Sequence, residues 1–277
     1  MTVLYEAPQK DFRPIGIHVL PDARSDDSLE VHVANGIGNV TTLQFQGDKL
    51  LSRTTTPHSD LLRGINGITV ASDGSIYVST FGPWPAKDRP KVGAPTPPDQ
   101  PTKNALLHFR AKERGGEGVW KIVAHGFGGA NGLALTPCEK YLLVCSYYGK
   151  AVHAFARNTA TGALTDGPSP AREGLGFHPD NLKAIGGGEF TVAGQRSWWR
   201  AAAHLTLGLP TASGGGERFY WQAGNAGRQT ADYTPLLRAD LRAPAVVIPV
   251  GSQLYVGHIM NRNLRVIDLP KATADPN

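Results

Sequence analysis

Residues 131–155 read NGLALTPCEKYLLVCSYYGKAVHAF. Gly132 to Leu135 is a short apolar strand, Pro137 to Lys140 a turn, Tyr141 to Cys145 a second strand and Ala151 to Phe155 a third. The first strand opens on Asn131, and such an opening recurs along the chain. Pro14-Ile15-Gly16-Ile17, Asn66-Gly67-Ile68-Thr69, Asn131-Gly132-Leu133-Ala134, Asp180-Asn181-Leu182-Lys183 and Ala245-Val246-Val247-Ile248 begin 52, 65, 49 and 65 residues apart. A unit repeating at roughly 40 to 50 residues, with insertions, reads as blades of a β-propeller. Antiparallel strands with these gaps also suit a sandwich; the repeated opening favours the propeller.

Around these openings strand signals are dense and helix signals sparse. Leu29 to Val33 and Val40 to Phe45 alternate, and Ser72-Asp73-Gly74 turns the hairpin between Gly67–Val70 and Ser75–Ser79. Ala105 to Arg110 and Gly118 to Ala124 supply that blade's outer strands. Leu182 to Ile185 and Glu189 to Ala193 flank Gly186-Gly187-Gly188, and the last blade uses Val246–Pro249, Leu254–Gly257 and Leu264–Leu269. The reading is one all-β domain over residues 1–277, with insertions at 82–103 and 197–233. The first insertion is proline-rich; the second begins as a short helix and contains Gly214-Gly215-Gly216, read as a turn.

Composition narrows the function classes. The 277 residues are 40% hydrophobic and 18% charged, with 33 glycines and 21 prolines, a mixture suited to short strands and tight turns. A net charge of +5 without a Lys/Arg run argues against nucleic acid as a partner. MTVLYEAPQK lacks the apolar core of a signal peptide, no stretch approaches the length of a membrane span, and Cys138 and Cys145 set no disulfide framework. A cytoplasmic location is expected. No G-x-S-x-G, H-E-x-x-H or phosphate-cradling loop occurs.

Three openings carry Asn66, Asn131 or Asp180-Asn181 at one point of the repeat. In a propeller that point is the axial end of a blade's innermost strand. Amide and carboxylate oxygens gathered there suit a hard cation such as calcium, whereas any one of them alone reads as an Asx turn. His178, two residues before Asp180, and His258, near the end of a strand, are candidate bases, as is Asp180 itself. A strand-end histidine bonded to backbone is the blander account of each. Trp198 and Trp199, with Leu205, Leu207 and Leu209, suggest a lid or membrane contact through 197–209, against which burial on the propeller is favoured.

The stretches VAHGFGGANGLALTPCEKYLLVCSYYGKAVHAFAR, INGITVASDGSIYVST, HPDNLKAI and VVIPVGSQLYVGHIMNRNLRVIDL resemble the paraoxonase/arylesterase family in order and spacing, from Phe12 to Leu269. The wider similarity is to gluconolactonase and senescence-marker propellers. The resemblance implies six blades, a calcium ion in the central channel, and hydrolysis of small-molecule lactones or aryl esters. It assigns Asn66, Asn131, Asp180 and Asn181 as calcium ligands. It also exposes departures. The family's calcium Glu would precede Met1, and Glu6 does not align with it, so one of six blades is expected to be incomplete. Gly67 stands where a second calcium takes an Asp; Gly36, Ser52, Gly82 and Gln195 stand where the family has histidines. These losses keep a second reading open: a non-catalytic binding propeller or a decayed, truncated paralogue.

Overall fold

The computed structural model describes residues 12–21, 27–82, 104–111, 118–207, 213–237, 243–259 and 264–270. These form two compact units, one of residues up to Gly149 with His153–Ser169, the other of Lys150–Val152 with the residues from Pro170 onward.

The first unit holds two sheets and most of a third. β1 (Pro14–Pro21), β2 (Ser28–Asn35), β3 (Asn39–Gln46) and β4 (Lys49–Thr55) follow one another as an antiparallel meander. So do β5 (Ile65–Val70), β6 (Ile76–Thr80), β7 (Leu106–Phe109) and β8 (Lys121–Ala124), and then β9 (Ala130–Leu135), β10 (Tyr141–Ser146), β11 (Ala151–Arg157) and β12 (Leu164–Arg172). The second unit holds β13 (His178–Gly186), β14 (Glu189–Gln195), β15 (Gly214–Tyr220) and β16 (Arg228–Asp232), and a three-stranded sheet of β17 (Pro244–Val250), β18 (Gln253–His258) and β19 (Arg265–Asp268). Helix α1 (Trp198–Leu207) joins β14 to β15. Consecutive strands paired as separate sheets make this an all-β protein of the propeller class.

Apolar faces seal neighbouring sheets. In the first unit, Ala34 and Val40 pack with Ile65, Ile68, Ile76, Val78 and Leu107. The other face of the second sheet sends Tyr77 and Leu106 into a cluster with Phe127, Leu133, Leu142, Val144 and Phe155. β6 is thus buried on both faces, which is why Ile76 to Thr80 lacks an exposed position. In the second unit Ala193 packs with Val247, Leu254, Val256 and Leu237. Each Val, Leu, Ile or Phe among them contributes roughly 1.5–3 kcal/mol on burial.

Three expectations change. Five sheets occur among the described residues, not six blades; the five sequence openings map one to one onto β1, β5, β9, β13 and β17, and the sixth came with the family alone. Residues 197–233 are not simply an insertion, since they contain α1, β15 and β16. The run Gly214-Gly215-Gly216 is strand, not turn. Side chains added there would strike the ring of Pro244, the ring of Phe177 and Leu237, so glycine is demanded by packing. By contrast, Gly186-Gly187-Gly188 does turn the β13–β14 hairpin, at φ of 98°, 58° and 79°. Of the proline-rich segment 82–103, residues 83–103 lie outside the described residues. Glu6 lies outside them too.

A buried polar tie spans the second and third sheets. The buried Arg157 guanidinium donates from Nη2 to Asp73 Oδ2 at 2.5 Å, from Nε to Tyr77 Oη at 2.7 Å and from Nη1 to the Glu139 carbonyl at 3.2 Å. Tyr77 in turn donates to the Gly162 carbonyl and stacks on His108 at 4.8 Å. Burial raises the Asp73 pKa, but the Ser75 N–H and the Arg157 charge more than reverse this and hold it below the usual carboxylate range. Burial pushes the His108 imidazole down to about 4, and its Nε2 has no hydrogen-bond partner.

Two predictions follow from this packing. His108 is neutral in the fold and titrates near 6.5 once unfolded, so its contribution is complete above that value and is lost as pH falls toward 4. His108→Phe keeps the stack and should lessen the fall in Tm between pH 7 and 4.5; the slope that remains includes His32, also held at about 4. Gly67→Ala should cost about 1–3 kcal/mol in urea unfolding, because its Cβ would meet the Asn131 carbonyl oxygen at 2.5 Å. Gly176→Ala, with nothing nearby, should change stability by less than about 0.5 kcal/mol.

Candidate functional site

Every first strand carries an irregularity at one point. Ile65 pairs with Thr80 and Ile68 with Val78, so Asn66 and Gly67 face Ser79 alone. Ala130 pairs with Ser146 and Leu133 with Val144, so Asn131 and Gly132 face Cys145. Asp180 is the extra residue between the pairs Pro179–Gly194 and Asn181–Ala193. Ile15 and Ala245 are extra in β1 and β17. Each is a β-bulge, which takes one residue out of the ladder and re-aims its side chain. The repeated openings read from sequence are these five bulges.

In the first unit the structure brings the backbone at Gly67, next to Asn66, against the backbone of Asn131. The Ser79 hydroxyl donates to the Asn131 carbonyl at 2.7 Å and accepts from the Gly67 N–H at 2.8 Å. A side chain at Gly67 would collide with that carbonyl, and one at Gly16 with the Asn66 carbonyl. At these two bulges the following glycine, Gly16 or Gly67, therefore admits the next first strand's backbone. It also closes position 67 to any carboxylate. The Asn131 side chain is buried, and its Oδ1 has no hydrogen-bond partner.

In the second unit His178, Asp180 and Asn181 open β13. His178 and Asp180 are buried and Asn181 is half-buried. Asp180 Oδ1 accepts from Asn181 Nδ2 at 3.3 Å, and Oδ2 from Gln195 Nε2 at 3.1 Å. His178 pairs directly with Gln195, which places their side chains on one face of the ladder, Cβ atoms about 5 Å apart. A Cβ at Gly194 would strike the His178 carbonyl, so the bulge itself requires glycine there. His258, the other candidate base, ends β18 opposite Pro244.

Sequence reasoning missed Ser79 and the contact of Gln195. Ser79 reads only as the polar end of a strand. Gln195 reads as a lost histidine, with no sign that its amide meets Asp180. Trp198 and Trp199 depart from the favoured burial: they are 51% and 55% exposed, with the Arg200 guanidinium over the Trp199 ring, while Ala201 takes the inward position of α1. The Leu205 side chain and Leu209 lie outside the described residues. No helix among the described residues is long and apolar enough to cross a membrane.

Each unit, taken by itself, offers a donor of a kind that a hard cation accepts. Asp180 supplies a buried carboxylate, and Asn131 Oδ1 is a buried acceptor lacking a donor, a state native structures seldom leave unanswered. No group of three or more His, Cys, Asp or Glu gathers among the described residues.

No family model matches the sequence, and no curated protein does. Solved structures match. A gluconolactonase from Xanthomonas campestris is 16% identical, covering 88% of this chain and 69% of its own, with a TM-score of 0.51. U3-55K is 11% identical, covering 96% of this chain and 63% of its own, also with a TM-score of 0.51. A luciferin-regenerating enzyme is 15% identical over 86% of this chain and 68% of its own, with a TM-score of 0.49. The wider gluconolactonase-type likeness is therefore met in the fold, while the narrower paraoxonase resemblance rests on sequence motifs. Two proteins so differently named share the fold equally well, so the fold by itself does not select a chemistry.

Ser79→Ala should leave the Gly67 N–H and the Asn131 carbonyl without their buried partner. A loss of about 1–3 kcal/mol is expected in urea unfolding. A change under about 0.5 kcal/mol would mean that this hydroxyl does not tie the two bulges.

Proposed function

We propose that the chain hydrolyses lactones and aryl esters in a calcium-dependent reaction. The observation that carries the reading is the bulge in every first strand, which presents an amide or carboxylate side chain at Asn66, Asn131 and Asp180. The gluconolactonase fold likeness supports lactones as substrates, and the paraoxonase-like motifs support aryl esters and calcium. Asn66, Asn131, Asp180 and Asn181 are the oxygen donors of the proposal. Bound there, calcium would supply polarisation of the substrate carbonyl and stabilisation of negative charge on its oxygen.

The remaining work falls to the protein. Water adds to the acyl carbon, the ester C–O bond breaks, and the departing alkoxide or phenoxide takes up a proton. Asp180 or His178 receives the proton of the attacking water. Both are buried at the start of β13, where few waters compete. Gly36, Ser52, Gly82 and Gln195 offer no imidazole in the positions where the resembled family has one, so turnover is expected to be slow.

A second reading, a binding propeller without catalysis, is favoured by the single carboxylate and these missing imidazoles. Phenyl acetate and γ-butyrolactone hydrolysis by the purified chain, with calcium and with chelator, separates the two. Slow turnover only with calcium is expected. Asp180→Ala and Asn131→Ala should each remove the calcium-dependent part, a loss of about 10²-fold. Turnover that survives both chelation and Asp180→Ala would end the metal-hydrolase reading. Calcium binding without turnover would leave the binding propeller.

A further inference from the structure

Gln195 ends β14 and is 1% exposed. Its Nε2 donates to Asp180 Oδ2 at 3.1 Å and to the Pro244 carbonyl at 3.0 Å. A primary amide nitrogen has two hydrogens, so both are committed. The Pro244 carbonyl can only accept, and this fixes which way the amide faces. Reversed, it would set Oε1 against a carbonyl and a carboxylate, three acceptors with no donor between them. One buried side chain therefore joins β13, β14 and β17 at the bulge and holds the Asp180 carboxylate in place.

Gln195 also decides the charge beside Asp180. Asn181 approaches Oδ1 through an amide nitrogen at 3.3 Å, so each carboxylate oxygen has a neutral amide donor beside it. Calcium sites gain affinity with the number of carboxylates and with their rigidity. An amide and a carboxylate have nearly the same shape, so position 195 is a place where a second negative charge fits without a change of volume.

We propose that Gln195 is the residue that sets the affinity of the Asp180 site for a divalent cation, by positioning that carboxylate while keeping the site at one negative charge. The proposal rests on the reading of Asp180 as a calcium ligand. It makes the site a weak, exchanging one, with a Kd of about 10⁻⁴ to 10⁻³ M, and locates the cause in one atom.

Titration calorimetry with calcium chloride tests it on the full chain, alongside Tm with and without calcium. Gln195→Glu should bind calcium about tenfold more tightly, because two adjacent carboxylates repel until a cation is shared between them. Its Tm without calcium should fall and be restored by calcium; a Gln195→Glu protein that folds only when calcium is present supports the proposal equally. Gln195→Leu keeps the volume and removes both donors, and should bind about tenfold more weakly, with a smaller calcium-induced rise in Tm. If Gln195 merely braced the fold, both variants would lose Tm while calcium bound as in the wild type, and that result would overturn the proposal. So would Gln195→Glu binding no better than wild type, including the case where neither binds at about 10 mM calcium. Asp180→Asn is the separate arm: wild-type calcium affinity there would sink the reading of Asp180 itself, whatever position 195 does.

Discussion

The carbonyl oxygen of Asn131 lies where a side chain on residue 67 would have to go, and much of the first unit depends on that approach. β5 and β9 come this close because Gly67 has no Cβ and because Ser79 fills the gap with a hydroxyl that satisfies both backbones. Neither device works alone. Without the glycine the strands separate; without the serine a buried N–H and a buried carbonyl lack partners. The same approach recurs between Gly16 and the Asn66 carbonyl. The Asn-Gly pair is therefore one structural unit: the asparagine is turned out of the ladder, and the glycine admits the neighbouring strand that makes the turn-out stable.

This explains which parts of the fold were legible in the sequence. The five openings were visible because each first strand starts as a short apolar run after a bulge, and three of the five bulges carry Asn or Asp. Strands such as Tyr141–Ser146 were visible because burial on both faces leaves a continuous apolar run. β12 and β15 were not. Leu164–Arg172 and Gly214–Tyr220 lack apolar runs, and β15 begins with three glycines whose role depends on Pro244, Phe177 and Leu237, residues distant in sequence. A glycine chosen for tight packing and one chosen for a positive φ have the same letter. The sixth blade was never a property of these residues; it entered with the family.

The site divides in the same way. Asn66, Asn131 and Asp180 were found from position in the repeat, and all three stand on bulges. Ser79 and Gln195 act through contacts between strands that no local pattern encodes. Gly67 shows how the two levels interact. From sequence it is an absent carboxylate; in the structure the neighbouring carbonyl forbids any side chain there. The departure from the family pattern at that position is built into the backbone spacing.

A fold of this kind separates presentation from chemistry. The bulge turns out whatever side chain occupies it, so β1 and β17 present Ile15 and Ala245 by the geometry that presents Asn66 and Asp180. What a given copy does depends on few letters, and two structures of unlike name can match it equally. In this chain those letters are mostly neutral. Amide oxygens hold a cation by dipole, with little pull from solvent, whereas a carboxylate adds charge. Asp180 is the one carboxylate among the proposed donors and has an amide against each of its oxygens, so under the calcium proposal charge would be scarcer than oxygen.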